Sequence, residues 1–278
     1  MTPPFLAQLP PSARGAAGGA ACVAACVALG VALSVAAASP ARAQGESGFV
    51  MPFTAVFISA GKLQMDVSKL NPRFERTDLL QLNPPQRTGF DAISNSGYSI
   101  GIGGYTPFGR VLLGAEGSYS DIGEESSPSG KTNRLETYYA MATVGFAAWT
   151  SWRFTLYPFI GVGAGNVKLT LRDRFGVVPA PLTQDPSFDE IVLSNATVST
   201  VNGSYVIVQP GLGFDYLALH DNQSHVGLVL GLRFSTAISP NRTTWTYQGR
   251  SVYGAPDAAP SGAMLRLMVG IGGFRLAK

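Results

Sequence analysis

Cysteine is nearly absent from this chain. There are two, Cys22 and Cys26, and both lie in an apolar stretch near the N-terminus. The remainder can hold no disulfide framework and no thiol chemistry. Charge is sparse as well, at 13% of residues. After the N-terminal stretch, no apolar run is long enough for a transmembrane helix. Histidine occurs only as His220 and His225. What the chain does have is glycine, 33 residues of it, set into segments of alternating hydrophobicity. An exported chain with few charges, no helix-length apolar run and many glycines suits a membrane β-barrel.

Export is read from the first 43 residues. Arg14 precedes a small-residue apolar run from Gly15 to Ala38, and no acidic residue occurs before Glu46. Ala41-Arg42-Ala43 fits a signal peptidase site, which makes 1–43 a cleaved leader and 44–278 the mature domain. Two rivals are an uncleaved membrane anchor and lipidation at Cys26. Pro40 and the Ala-x-Ala site fit cleavage better than an anchor. The apolar run continuing from Val27 to Ala38 argues against a lipoprotein, which turns polar at once. Loss of Arg14 and Arg42 takes the 20 basic residues to 18 against 17 acidic. So even a balance leaves no footprint for nucleic acid.

The clearest strand is the last. In Gly262–Leu276, Ala263, Leu265, Leu267, Val269 and Ile271 form one unbroken apolar face. Met264, Arg266, Met268, Gly270, Gly272 and Phe274 form the other. A strand points successive side chains to opposite faces. Seven further segments read the same way: Gly48–Lys62, Gly97–Phe108, Arg110–Ile122, Arg134–Trp149, Arg153–Leu171, Thr200–Leu219 and His225–Ile238. In the first of them both parities carry apolar residues, so its inward face stays open. Short turns alternate with longer polar stretches at Asp66–Asn95, Glu124–Asn133, Arg172–Ser199 and Ser239–Ser261. Up-and-down outer-membrane barrels have this rhythm, with long loops outside and short turns in the periplasm. An even strand count puts both termini in the periplasm. The expected fold is an all-β, eight-stranded antiparallel up-and-down transmembrane β-barrel with a filled polar interior. A soluble lipocalin-type barrel would carry Lys and Glu on its second face rather than glycine.

The glycine-rich strands Ser99-Ile100-Gly101-Ile102-Gly103-Gly104-Tyr105, Phe159-Ile160-Gly161-Val162-Gly163-Ala164-Gly165 and Val269-Gly270-Ile271-Gly272-Gly273-Phe274 carry a family likeness. The chain resembles the small outer-membrane β-barrels of the OmpA transmembrane domain and OmpX type over about Gly48 to Phe274. The resemblance implies outer-membrane lipid and the barrel-assembly machinery as partners. No peptidoglycan-binding domain is expected after the last strand.

Little in the sequence asks for chemistry. Gly101-x-Gly103-Gly104 and Gly161-x-Gly163-x-Gly165 lie within strands and open no helix, so a phosphate loop is not expected. His220 and His225 flank a turn and read as interface polar residues rather than metal ligands. Asp185, Asp189 and Glu190 lack EF-hand spacing and read as a solvated loop. Trp149 and Trp152 suit a membrane interface. No enzyme, cofactor or metal is expected.

Four charges remain, Glu116, Asp215, Arg233 and Arg266, all on the face opposite the lipid residues. They read as a polar network inside the barrel, since lipid-facing Arg near the midplane costs about 2–4 kcal/mol. Counting ~2.5 Å of axial rise per residue from the short turns puts Asp215, Glu116, Arg233 and Arg266 at ~10, ~15, ~20 and ~25 Å. On that count Glu116 pairs with Arg233, and Arg266 stacks above. The expected function is a structural or surface-interaction role for a monomer that displays its loops to an unknown extracellular ligand. The alternative is a narrow gated conduit for small solutes or lipophilic molecules.

Overall fold

The structure is a computed structural model. It describes residues 53–75, 88–151, 153–179, 184–194, 196–221, 226–241 and 243–273. The leader, Trp152, His225 and Phe274 lie outside the described residues. In chain order the elements are β1 (Thr54–Gln64), α1 (Asn71–Glu75), β2 (Ser96–Phe108), β3 (Val111–Ser126), β4 (Lys131–Phe146) and β5 (Trp149–Thr150). Then come β6 (Phe154–Asp173), α2 (Phe188–Leu193), β7 (Val198–Asp221), β8 (Val226–Ala237), β9 (Thr244–Tyr247), β10 (Arg250–Ser251) and β11 (Gly262–Gly273).

The eight long strands close into a ring in which every neighbour is antiparallel: β1, β2, β3, β4, β6, β7, β8, β11 and back to β1. The register fixes the ring's shape. Partners lead from Pro107 on β2 through Leu112, Gly145, Phe159, Gly211 and Ser235 to Met264. Leu265 pairs with Lys62, which sets Met264 beside Leu63, and Leu63 pairs with Gly97. The path thus returns to β2 ten residues from its start. For eight strands this stagger means a tilt of roughly 41° and a backbone ring about 16 Å across.

Alternation decides what each face meets. Ile58, Ile100, Leu267 and Ile271 point outward and are 62 to 65% exposed. Val111, Leu113, Val144, Ile160, Leu212, Phe234 and Val269 are exposed with them. On β3 the outward face carries no charge from Val111 until Asp121, and on β4 none from Phe146 until Glu136. Ten residues at this tilt make an apolar band ~25 Å tall. The register also settles β1, the strand whose parity the sequence left open. Phe53, Ala55, Phe57, Ser59 and Leu63 point inward and are buried.

The inward glycines have a definite use. Phe57 pairs with Gly103, Tyr157 with Gly213 and Tyr205 with Gly165. In each pair the aromatic ring lies where a glycine Cβ would stand. Large rings therefore fold down over bare backbone on the neighbouring strand, and a narrow interior accommodates them.

The three longest connections differ from the polar loops read in the sequence. They fold together over one end of the ring. Leu70, Phe74, Phe90, Ile93, Phe188, Ile191, Val192 and Trp245 are buried in a shared core that continues into the ring through Leu169, Val201 and Leu63. Arg73 Nη1 donates to both carboxylate oxygens of Asp189, at 3.0 and 2.8 Å, and ties α1 to α2. Lys69 meets Asp257 at 3.2 Å. Helix α2 starts in a capping box, with Glu190 N–H donating to Ser187 Oγ and Ser187 N–H donating to Glu190 Oε2. The hairpin β9–β10 adds to the upper part of β7. Asp66, at the foot of this cap, is held below the usual carboxylate range by hydrogen bonds from the Ser68 hydroxyl and amide.

The glycine–aromatic pairing gives a direct expectation. Gly213→Ala places a methyl group against the Tyr157 ring. Overpacking of this kind costs ~1–3 kcal/mol. Reversible denaturant unfolding of the refolded chain measures it, and a midpoint equal to wild type would show that Tyr157 does not need the gap.

Candidate functional site

The four charges singled out from the sequence all point into the ring. Glu116, Arg233, Arg266 and Asp215 are 2, 4, 1 and 0% exposed. They come from β3, β8, β11 and β7, and β3 lies four strands from β8 by either way round. Glu116 therefore reaches across the interior from the opposite wall. Its Oε2 accepts from Arg233 Nη1 at 2.9 Å, and its Oε1 meets Arg266 Nη1. One carboxylate thus bridges two guanidinium groups.

Arg266 does not stack above Arg233, as the count from the turns expected. The two are register partners on β11 and β8. The count began at Leu276 on one strand and His225 on the other, whereas Gly273 pairs with Val226, and from that pair each arginine is seven residues up. Like charges directly opposite each other repel. Here Glu116 sits against both, and the repulsion is offset.

Asp215 does lie apart from Glu116, in a neighbouring layer with two tyrosines. Tyr105 and Tyr157 donate to its Oδ2 at 2.5 and 2.9 Å. The Tyr157 hydroxyl also accepts from Arg233 Nε at 3.2 Å. A continuous polar chain results: Arg266, Glu116, Arg233, Tyr157, Asp215, Tyr105. Two positive and two negative groups cancel. Arg233 further lies over the rings of Phe57 and Phe159, at 4.6 and 5.3 Å from their centroids. Arg266 has fewer supports. Among the described residues its Nε and Nη2 have no hydrogen-bond partner, so Glu116 is its main counterweight.

The tyrosines and phenylalanines of this network escaped the sequence reading. Their inward parity was available, and Tyr105 and Tyr157 share it with Glu116 and Asp215. What the sequence withheld was the register that brings them onto one carboxylate.

The ion layer is bounded on both sides. Towards the short turns, Phe53, Ala55, Leu112, Leu217, Val229 and Met268 form an apolar cluster with the lower rings. Towards the cap, Gln209 donates to Ser235 Oγ at 2.6 Å, and Tyr205 and Thr137 hydroxyls meet at 2.6 Å. Tyr139, Ile207 and Met264 then lead into the cap core.

Trp149 stands at the short-turn end, 57% exposed and edge-on to Phe154 at 4.6 Å. Phe154 in turn lies 6.1 Å from Phe214. No group of three or more potential metal ligands occurs among the described residues. Asp189 and Glu190 are occupied by the Arg73 pair and the capping box.

A closed ring with an apolar outer band and a charged interior defines the class of architecture. No protein-family model and no curated protein matches the chain. Solved structures do. The chain is similar to Ail, the attachment invasion locus protein of Yersinia pestis, at 12% identity and a TM-score of 0.41, covering 80% of this chain and 98% of that one. It is similar to Neisserial surface protein A at 10% identity and a TM-score of 0.37, with 80% and 97% covered. A major outer membrane protein from Thermus thermophilus matches at 10% identity and a TM-score of 0.38, with 79% and 98% covered. These are small outer-membrane β-barrel proteins, the family that the glycine-rich strands resemble. At such identities and scores the likeness carries no argument of its own, and the architecture rests on the strand register.

Glu116→Gln keeps the shape and removes the charge between two buried arginines. Breaking a buried pair from one side costs ~3–5 kcal/mol. The thermal unfolding midpoint of the refolded barrel should fall accordingly. An unchanged midpoint would mean that the arginines do not depend on Glu116.

Proposed function

We propose that this chain is an integral outer-membrane β-barrel, with both termini in the periplasm and the folded cap at the cell surface. Its role is structural or one of surface interaction, not catalysis. The observation that carries this reading is the ~25 Å charge-free outer band, which matches the hydrocarbon height such barrels cross, on a ring whose interior holds the charges. Outer-membrane lipid meets the band. The barrel-assembly machinery inserts the chain. The cap presents a monomer's surface to an extracellular ligand.

A second reading, a narrow gated conduit, is favoured by one feature, the paired charges in the interior. Against it stand the apolar layer on the short-turn side and the cap core on the other. A polar path would have to break both. The filled interior therefore acts as a plug that fixes the packing of the closed barrel.

Planar-bilayer recording of the refolded chain separates the two. The plug reading expects no steady conductance from wild type and at most brief openings from Glu116→Gln. Wild-type channels that stay open, with Glu116→Gln altering only their ion selectivity, would establish the conduit instead.

A further inference from the structure

Proline has no amide hydrogen to give to a ladder, and in sheets it belongs at edges and bulges. A closed ring has no edge, yet Pro210 stands in the middle of β7. The register shows which neighbour loses its donor. Val208 and Ile238 exchange both backbone hydrogen bonds, Val208 N–H donating at 2.8 Å and Ile238 N–H at 2.9 Å. Residues two apart on a strand turn their backbone groups to the same neighbour. Pro210 therefore faces β8, and because Gly211 pairs with Ser235 it stands opposite Thr236. The Thr236 carbonyl receives no ladder bond from it. The ladder stops at Gly211 with Ser235, and Val208 with Ile238 is an isolated bridge beyond the gap.

The other seven seams keep unbroken register through the apolar band. The shift between β3 and β4 comes only at Asp121 and Glu124, where outward charge has begun. The β7–β8 seam carries a second shift lower down, between Leu217 and Leu219. It is the weak line of the ring. Above Pro210 its closure also changes character. From Ser204, opposite Thr244, β9 takes over as the partner of β7. Between the Gly211 and Ser204 pairs the ladder gives way to the isolated bridge and to side chains. The Ser239 hydroxyl donates to the Val206 carbonyl at 2.9 Å, and Val206 N–H donates to Asn241 Oδ1 at 2.7 Å. At the lower corner Gln209 Nε2 donates to Ser235 Oγ at 2.6 Å.

Both sides of this stretch are apolar. Val206 and Ile238 face outward and are exposed at the upper edge of the band. Ile207 and Ala237 face inward and are buried in the cap core. Arg233 lies two residues below Ser235, so a path entering here reaches the cap core without crossing the charges. We propose that the stretch from Thr236 to Asn241 parts from β7 as a lateral window, through which an apolar chain from the surrounding leaflet reaches the cap core. The proposal rests on the outer-membrane reading for what lies outside the window, and it leaves the charged plug closed.

The test uses the mature chain from Gln44, which contains no cysteine. Ala237→Cys puts a thiol behind the window, at a position 1% exposed. The protein is refolded into phospholipid nanodiscs, and mass spectrometry follows labelling by a lipid-soluble maleimide or by a sulfonated, membrane-impermeant one. The lipid-soluble reagent should react, and the sulfonated reagent should lag behind it. Pro210→Val restores the missing N–H and should slow labelling ~tenfold, the scale of one net hydrogen bond. Ser239→Ala removes a latch without touching the ladder and should speed labelling. Ala55→Cys, equally buried on β1 between two unbroken ladders, should stay unlabelled. An Ala237→Cys thiol that never reacts overturns the proposal, as does labelling that neither variant changes. If Pro210→Val does not fold, Ser239→Ala decides alone. Faster reaction with the sulfonated reagent would place the entry in the cap, from water, and overturns it as well. A chain that fails to insert, judged by heat-modifiable electrophoretic mobility, takes the membrane reading down with it. Insertion without labelling removes only the window.

Discussion

The Glu116 carboxylate between Arg233 and Arg266 is the contact on which the interior depends. A ring about 16 Å across has little room once its inward side chains are placed. Four charged groups buried there are tolerable only if each finds a partner. Glu116 supplies it for both arginines from the far wall, so it also braces β3 against β8 and β11. Arg233 passes the link on to Tyr157 and Asp215. The interior is thus one connected body rather than eight strands lined with separate side chains.

The outer band and this interior share a cause. Strand alternation gives each strand two faces, and ring closure leaves none of the eight long strands with a free edge along the band. Polar side chains excluded from the apolar outer band have only the inside to occupy. Aromatic residues join them because cross-strand glycines leave space, as Gly103 does for Phe57 and Gly213 for Tyr157. Above the band the constraint lifts. Outward charges first appear at Lys62, Asp121, Glu136 and Lys168, and the connections are free to fold on themselves.

Much of the ring was legible in the sequence because its signal is local. Two-residue alternation in Val226–Ala237 or Gly262–Gly273 states both faces without knowledge of neighbours. It also placed Glu116, Asp215, Arg233 and Arg266 inside. The parity of β1 was not legible, since Phe53, Phe57 and Ile58 are apolar on both faces. Only pairing with β2 and β11 decides it. The relative height of Arg266 was misread because only the pairing of β11 with β8, which sets Gly273 opposite Val226, shows where its count must begin. The cap was missed for a similar reason. Leu70 and Phe74 meet Phe188 and Trp245 across more than a hundred residues, and short apolar groups in polar stretches do not show which distant partners they bury against. One local cue was present, however. Ser187-x-x-Glu190 before Ile191 and Val192 is a capping box, and it marks the helix start.

The central claim is that Glu116 acts on both arginines at once. Double-mutant cycles of unfolding free energy test it most directly, pairing Glu116→Gln with Arg233→Met and, separately, with Arg266→Met. The account predicts coupling in both cycles at the upper end of the ~0.5–3 kcal/mol range for contacting residues, with each double variant more stable than Glu116→Gln alone because a stranded charge has gone. Additive effects in either cycle would contradict it.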